Sequence, residues 1–232
     1  MENTRNSQYD EYMNSSWKEP ARFQRMLASQ VYPRLEYFDR VAAVWTGLDV
    51  LDLGCGVGFM SEVLAKRGAC VTGVEPDEAA LNVARERAAT QALDITYTNG
   101  IGEHIPLADA SVDRIVCVDV LEHVADLKKV TSECRRVLRP GGIFFFDTIN
   151  RNLMARFMVA IMMEDILRTI PKGGHDPGKF VRPEELKSLL QQSGFTHIGQ
   201  FVGMGIVGID RHREFVFGLT RSTRIMYLGY AQ

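Results

Sequence analysis

Apolar residues follow two rhythms along this chain. Short hydrophobic runs bounded by polar or glycine-rich breaks read as strands over Leu48–Leu53, Cys70–Val74, Ile95–Thr98, Asp113–Val120 and Ile143–Thr148. Between them, helices are predicted over Val57–Arg67, Asp77–Thr90 and Asp126–Leu138. Gly68 stops the first of these, and Arg139-Pro140-Gly141-Gly142 closes the last. Upstream, Leu27, Val31, Leu35, Phe38 and Ala42 recur at steps of three and four, so Arg22–Trp45 is helical, with Pro33 as a bend or break. Residues 1–19 are polar and read as loose or helical.

After Asn150 the alternation lapses. Leu153–Ile170 is an apolar, methionine-rich helical segment, followed by the loop PKGGHDPGKF and a helix at Pro183–Gln192. Late strands are expected near Thr196–Val202, Glu214–Leu219 and Arg224–Tyr230. Residues 151–180 read as an insertion over the active-site face of a domain spanning 46–232. The helical segment 1–45 is expected to contribute to the cofactor and substrate site. Alternating strands and helices predict an α/β fold with a mostly parallel sheet covered on both faces. Ligand sites in such a sheet lie at the carboxyl ends of the strands.

Composition narrows the class. The 232 residues suit one domain, or one with a modest insertion, and 46% hydrophobic with 24% charged residues is ordinary for a soluble protein. A formal charge of -2 argues against a broad polyanion-binding surface, so no nucleic-acid partner is expected. Cys55, Cys70, Cys117 and Cys134 form no CxxC pair and are read as buried thiols in a reducing cytoplasm. The polar N-terminus predicts no export, and no apolar stretch reaches the ~20 residues of a membrane span. A cytoplasmic protein, with a peripheral membrane contact compatible with the insertion, is the expectation.

The chemistry concentrates at strand ends. VLDLGCGVG places Gly54, Gly56 and Gly58 in a loop that turns sharply and brings backbone N–H groups against a ligand, with Cys55 inside it. A dinucleotide GxGxxG would carry its third glycine where Phe59 stands, which weakens the case for a pyrophosphate cradle. Asp52, just before the first glycine, suits the ammonium of an amino-acid moiety, a cation that NAD lacks. Glu75, at the tip of the next strand and followed by Pro76, suits both ribose hydroxyls. Together these favour S-adenosylmethionine (SAM) over a nicotinamide cofactor. Ile101 and Gly102, opening the loop through Leu107 after the third strand, are candidates for the adenine edge; a plain surface turn is the alternative.

CVDVLEHVAD follows the fourth strand. Val118 should lie beside the methionine part of the cofactor, and Asp119, Glu122 and His123 gather where an acceptor would meet the methyl group. A helical segment there would put these three on one face. His123 can then act as general base toward a phenol, or Asp119, Glu122 and His123 can hold a divalent cation such as Mg²⁺ that acidifies it. A helix cap at Glu122 and a local hydrogen bond at His123 would explain the same residues structurally. In the insertion, Phe157, Met158, Ile161, Met162, Ile166 and Leu167 form a soft apolar surface edged by Arg151, Arg156, Arg168 and Lys172. That stripe suits a lipid-like or aromatic substrate, a membrane interface through 151–172, core packing or a homodimer contact. His175 and Asp176 lie in a glycine-rich loop able to close over the site, whereas His197 and His212 read as structural or solvent-facing.

At this point the sequence resembles the class I SAM-dependent methyltransferases, and within them the ubiquinone-biosynthesis O-methyltransferases. VLDLGCGVG, Glu75, DVLEHVAD, LRPGGIFFFDTINRN and PKGGHDPGKFVRPEEL carry the resemblance, from about Val31 to Gly203. It implies a Rossmann-like seven-stranded sheet and methylation of a phenolic hydroxyl on a catechol-like, polyprenylated quinone precursor. It also implies a SAM loop at Gly54, Gly56 and Gly58, a ribose partner at Glu75, and Arg34 near the cofactor carboxylate. Asp119, Glu122 and His123 then match the family's acidic–acidic–histidine cluster for divalent-cation-dependent methylation, with Asp119 replacing the usual glutamate. Trp17-Lys18-Glu19 only echoes the family's N-terminal tryptophan pair, and GIDRHREFVFGLTRSTR replaces its asparagine-rich segment. A methyltransferase acting on another phenol, or on an N- or C-nucleophile without a metal, is the alternative.

Overall fold

The computed structural model describes residues 22–159, 175–211 and 214–232. Trp17-Lys18-Glu19, Ile161 to Lys172 of the insertion, and His212 lie outside them. A long helix, α1 (Arg22–Val41), precedes β1 (Asp49–Leu53), α2 (Phe59–Lys66), β2 (Cys70–Glu75), α3 (Glu78–Thr90), β3 (Ile95–Asn99) and β4 (Val112–Cys117). Then come α4 (Leu127–Val137), β5 (Leu138–Ile149), the short α5 (Leu153–Arg156), α6 (Pro183–Gln192), β6 (Val202–Ile209), β7 (Phe215–Thr220) and β8 (Met226–Ala231).

The eight strands form one sheet in the order β3-β2-β1-β4-β5-β8-β6-β7. The strands from β1 to β5 pair in parallel, and the last three add antiparallel ladders. Strand order reverses between β1 and β4, where Leu53 lies opposite Cys117. Crevices at such reversals are where open α/β sheets bind ligands, and the glycine loop and the DVLEH turn leave the sheet there together.

Alternation along β5 shows why the sheet is covered twice. Phe144 and Phe146 pack on one face with Val130, Cys134, Leu186 and Leu190 of α4 and α6. Phe145 packs on the other with Val31, Leu35 and Phe38 of α1 and with Leu64 of α2. A third cluster joins Met26, Ile149, Ala155, Val159, Phe180 and Phe217, so α1, the start of the insertion and β7 pack around one another. Asp77 and Asp126 cap α3 and α4 through the backbone N–H groups of Ala79 and Lys129.

Several boundaries depart from the sequence reading, and the sheet has eight strands, not seven. Pro33 lies inside an uninterrupted α1, because the buried Val31, Leu35 and Phe38 hold the helix on both sides of it. The chain at 196–201 is irregular, and the strand expected there starts at Val202. Glycines at 203, 205 and 208 mask that strand, because they read as loop yet pair along β7 and β8. Leu138, expected to end the preceding helix, and Arg139–Gly142, which reads as its stop, instead open β5 through a register shift opposite Val112 and Arg114. β4 ends at Cys117 instead of Val120, because Asp119 turns left-handed with φ 56°. Cys55, Cys117 and Cys134 are buried as expected, but Cys70 is exposed at the start of β2. No helix among the described residues is long and apolar enough to cross a membrane.

Arg34 of α1 is only 2% exposed and donates from Nε to Asp147 Oδ2 of β5 at 2.6 Å. Its Nη2 also lies 2.6 Å from Asp119 Oδ1. Arg34→Leu should therefore lower unfolding stability by ~3–5 kcal/mol, because two acids lose their shared cation. Adding Asp147→Asn should recover part of the loss. Urea denaturation measures both, and a single variant within ~0.5 kcal/mol of the parent would remove this pair from the account.

Candidate active site

Three glycines shape the loop after β1. Gly54, Gly56 and Gly58 have φ of 73°, 51° and 86°, a region that side-chain-bearing residues avoid. Gly54 and Cys55 both donate to the Val74 carbonyl, at 2.7 and 3.1 Å, and Gly58 donates to Cys55 O at 2.9 Å. A Cβ on Gly54 would stand 2.2 Å from Val120 Cγ2, so glycine is also needed there for the turn after β4 to approach. The Cys55 thiol is pushed up by burial and by Asp52 and Glu75, so it stays protonated and unreactive.

The Glu75 carboxylate knits the glycine loop to the next helix. Its Oε2 accepts from Gly56 N–H and its Oε1 from Asp77 N–H, each at 3.1 Å. Asn99 Nδ2 donates to the Pro76 carbonyl at 2.9 Å, which fixes the neighbouring β3 loop. Beneath lies Asp52, 1% exposed and accepting from Ser61 Oγ. Burial pushes its carboxyl up to about 6, while Ser61 draws it back, Glu75 adds to the rise and Arg34 opposes it.

The loop after β3 is set by α4. Arg136 donates to the carbonyls of Ile105 and Leu107 at 2.9 Å each, and Glu133 Oε2 accepts from Ile105 N–H at 2.9 Å. Gly102 is buried, and a Cβ there would meet Val130 at 3.2 Å; Ile101 is 48% exposed and bridges to His104. The exposed Ile101 side chain therefore stands beside a loop whose backbone is fixed.

The turn after β4 differs from a helix. Residues 121–123 form a turn closed by His123 N–H on Val120 O at 2.8 Å, and Val118 is half-buried above it. Asp119 consequently parts from Glu122 and His123, which keep donor atoms within 4.8 Å of each other. Asp119 points to Arg34, and its backbone N–H donates to Asp147 Oδ1 at 2.7 Å. Glu122 turns inward, its Oε2 accepting from Thr148 Oγ1 at 2.8 Å. His123 turns outward to His175, with ring centroids 5.1 Å apart.

Burial, reinforced by Asp119 and Asp147, pushes the Glu122 carboxyl up to about 8. Although one edge of His123 reaches solvent, the surrounding protein and His175 push its imidazole down, so it is neutral at pH 7. Burial raises Asp147 to about 6 while Arg34 pulls the other way, leaving it ionised at neutral pH. Arg34 is raised: burial would lower it, and Asp119 and Asp147 outweigh that.

The structure thus gathers Asp52, Gly54, Cys55, Gly56, Gly58, Glu75 and Pro76 on one side of the switch point, and Val118, Asp119, Glu122 and His123 on the other. Arg34 contacts Asp119 and Asp147, and its charge also acts on Asp52. Among the described residues, the metal-capable donors within 4.8 Å of one another are Glu122, His123 and His175, without Asp119. Sequence reasoning missed Ser61, Asp147 and Thr148. Asp147 carried a signal, being an acid directly after the apolar run Ile143–Phe146. His197 pairs with the Tyr230 hydroxyl at 3.1 Å, away from the site.

Comparison with known proteins agrees with this geometry. A methyltransferase-domain family model matches residues 51–146. A ubiquinone biosynthesis O-methyltransferase of Coxiella burnetii is 36% identical over 197 residues, covering 84% of this chain and 81% of that protein. Its counterpart in Histophilus somni is 39% identical, covering 80% of each. Among solved structures, magnesium protoporphyrin IX methyltransferase from Synechocystis PCC 6803 with bound S-adenosylhomocysteine (SAH) superposes with a TM-score of 0.66 at 18% identity, over 97% of this chain and 92% of that one. A SAM-dependent methyltransferase from Thermotoga maritima gives 0.64 at 18% identity, over 89% and 91%. At these identities the structures speak to the fold, which is the Rossmann-like class I methyltransferase fold.

Gly54→Ala should cost ~2–4 kcal/mol of stability, combining left-handed strain with the Val120 clash. It should also weaken SAM binding. Thermal melting and SAM titration read the two effects, and a variant matching the parent in both would contradict this loop geometry.

Proposed function

This chain belongs to the ubiquinone-biosynthesis O-methyltransferase family, and we propose that it moves the methyl group of SAM to a phenolic oxygen of a catechol-like, prenylated quinone precursor. The observation that carries the reading is the meeting of two kinds of group at one sheet reversal. Asp52 and Glu75 stand at the ends of β1 and β2, and Glu122 and His123 stand across from them after β4. The family name borne by the relatives supports the acceptor class.

Asp52 takes the cofactor ammonium, Glu75 takes both ribose hydroxyls, and the Val118 backbone borders the methionine chain. Ile101 and Gly102 line the adenine. Arg34, bound by Asp119 and Asp147, still acts on Asp52, which supports a position facing the cofactor carboxylate. The phenolic oxygen attacks the sulfonium methyl, the carbon–sulfur bond breaks, SAH departs, and the phenol proton leaves at the exposed edge of His123. Alignment and exclusion of water dominate such a reaction, because the sulfonium is already activated.

The residues also fit a divalent cation. Glu122 is buried with Oε1 lacking a hydrogen-bond partner, and His123 presents a neutral ring beside it. Bound there, with His123 as a ligand instead of the base, a cation would lower the pKa of the attacking phenol. Leu153, Met154 and Phe157 are 84%, 46% and 51% exposed at the start of the insertion, which supports a prenyl-tail contact on that side.

Asp52 gives cofactor binding a pH signature. Burial pushes its carboxyl up to about 6, and an ammonium partner would lower it, so affinity is full above that pH. SAM affinity should fall as pH drops through 6, by up to about tenfold per unit, and Asp52→Asn should flatten the profile. A flat profile in the parent protein would remove Asp52 from cofactor binding.

The functional reading is tested by methyl transfer from SAM to a short-chain prenylated catechol, with and without chelator. Product that collapses when chelator is added is expected. Turnover indifferent to chelator would favour the metal-free alternative, and no product on any catechol would overturn the acceptor.

A further inference from the structure

Asp119, the residue aligned with the first acid of the family cluster, is engaged elsewhere. Its carboxylate lies 2.6 Å from Arg34, and its backbone N–H is held by Asp147. The nearby donors that do converge come from two segments: Glu122 and His123 from the turn after β4, and His175 from the loop before α6. One donor atom from each lies within 4.8 Å of the other two. Glu122 is 1% exposed, one of its oxygens is held by Thr148, and Oε1 has no hydrogen-bond partner.

The segment from His175 to Val181 is fixed in place. Phe180 is 1% exposed, Val181 N–H donates to Ile149 O at 2.9 Å, and Lys179 Nζ donates to the His123 carbonyl at 3.3 Å. Asp176 accepts from Gly178 N–H at 2.8 Å and from Lys179 N–H at 2.9 Å, closing the turn beside His175. His175 also packs edge-on against Phe180, with centroids 6.3 Å apart. The loop thus reaches the site with its backbone already hydrogen-bonded.

We propose that His175 replaces Asp119 as the third protein ligand, so that Glu122, His123 and His175 hold a d-block divalent cation in preference to Mg²⁺. Mg²⁺ favours an all-oxygen octahedral shell and dehydrates reluctantly. Two imidazoles and one carboxylate instead match zinc, cobalt, iron or nickel. The proposal rests on the methyltransferase reading only for what the cation does, not for whether it binds.

The test is calorimetric titration of the full chain, stripped by chelator, with Co²⁺ and with Mg²⁺, following Co²⁺ d–d absorption in parallel. One Co²⁺ per chain, bound at least ~100-fold tighter than Mg²⁺, is expected. His175→Ala should weaken Co²⁺ by ~10-fold or more and change its spectrum, while Asp119→Asn should stay within about threefold of the parent. Asn suits the left-handed backbone at 119, and His175→Gln with unchanged SAM affinity guards against a loop that merely collapses. Absence of stoichiometric Co²⁺ binding would overturn the proposal, as would a silent His175→Ala or loss of binding in Asp119→Asn. Neither SAM nor acceptor is present, so failure here leaves methyl transfer standing. Failure of the transfer assay with Co²⁺ bound would strike the function instead.

Discussion

One buried carboxylate ties the molecule together. Asp147, fully buried on β5, accepts from the Arg34 guanidinium with one oxygen and from the Asp119 backbone with the other. The first bond pins α1 to the sheet, and the second holds the left-handed turn that ends β4. Where Glu122 and His123 point follows from that turn, as does the space for Val120 against Gly54. A charge this deep is tolerable only because its partner is equally deep and its remaining oxygen is hydrogen-bonded. The fold and the acceptor end of the site therefore share one constraint.

The site is rich in buried acid. Asp52, Glu122 and Asp147 are all raised by desolvation, and Arg34 is the buried cation that balances the two acids nearest it. Such surroundings suit a cofactor carrying both an ammonium and a sulfonium. They also explain why the two halves of the crevice behave differently. Asp52 is held by the Ser61 hydroxyl, whereas Glu122 is held by Thr148 and stands beside the imidazoles of His123 and His175.

Much of this was legible in the residues. The strand–helix alternation, the parallel sheet and the glycine loop that Glu75 holds follow from period, glycine spacing and acids at strand ends, all of which are local signals. Glycines hid the true position of β6, and Pro33 disguised the continuity of α1, because tertiary packing overrode local preference in both cases. The acceptor end was less legible. Asp119, Glu122 and His123 share a segment, but the left-handed backbone at Asp119 turns its carboxylate to Arg34, away from the other two. His175 reaches the cluster from 52 positions beyond His123 in numbering, a pairing that only the folded loop creates. The Asp147 hub likewise depends on Arg34, 113 residues away.

The account's central claim is that the cofactor spans from Asp52 and Glu75 to the turn at Asp119–His123 across the strand reversal. A crystal structure with SAH measures this directly. The expected result puts its amino group within hydrogen-bond reach of Asp52, its ribose hydroxyls on Glu75, and its sulfur facing His123. A ligand whose sulfur faces away from that turn, or whose ribose leaves Glu75, would contradict the claim.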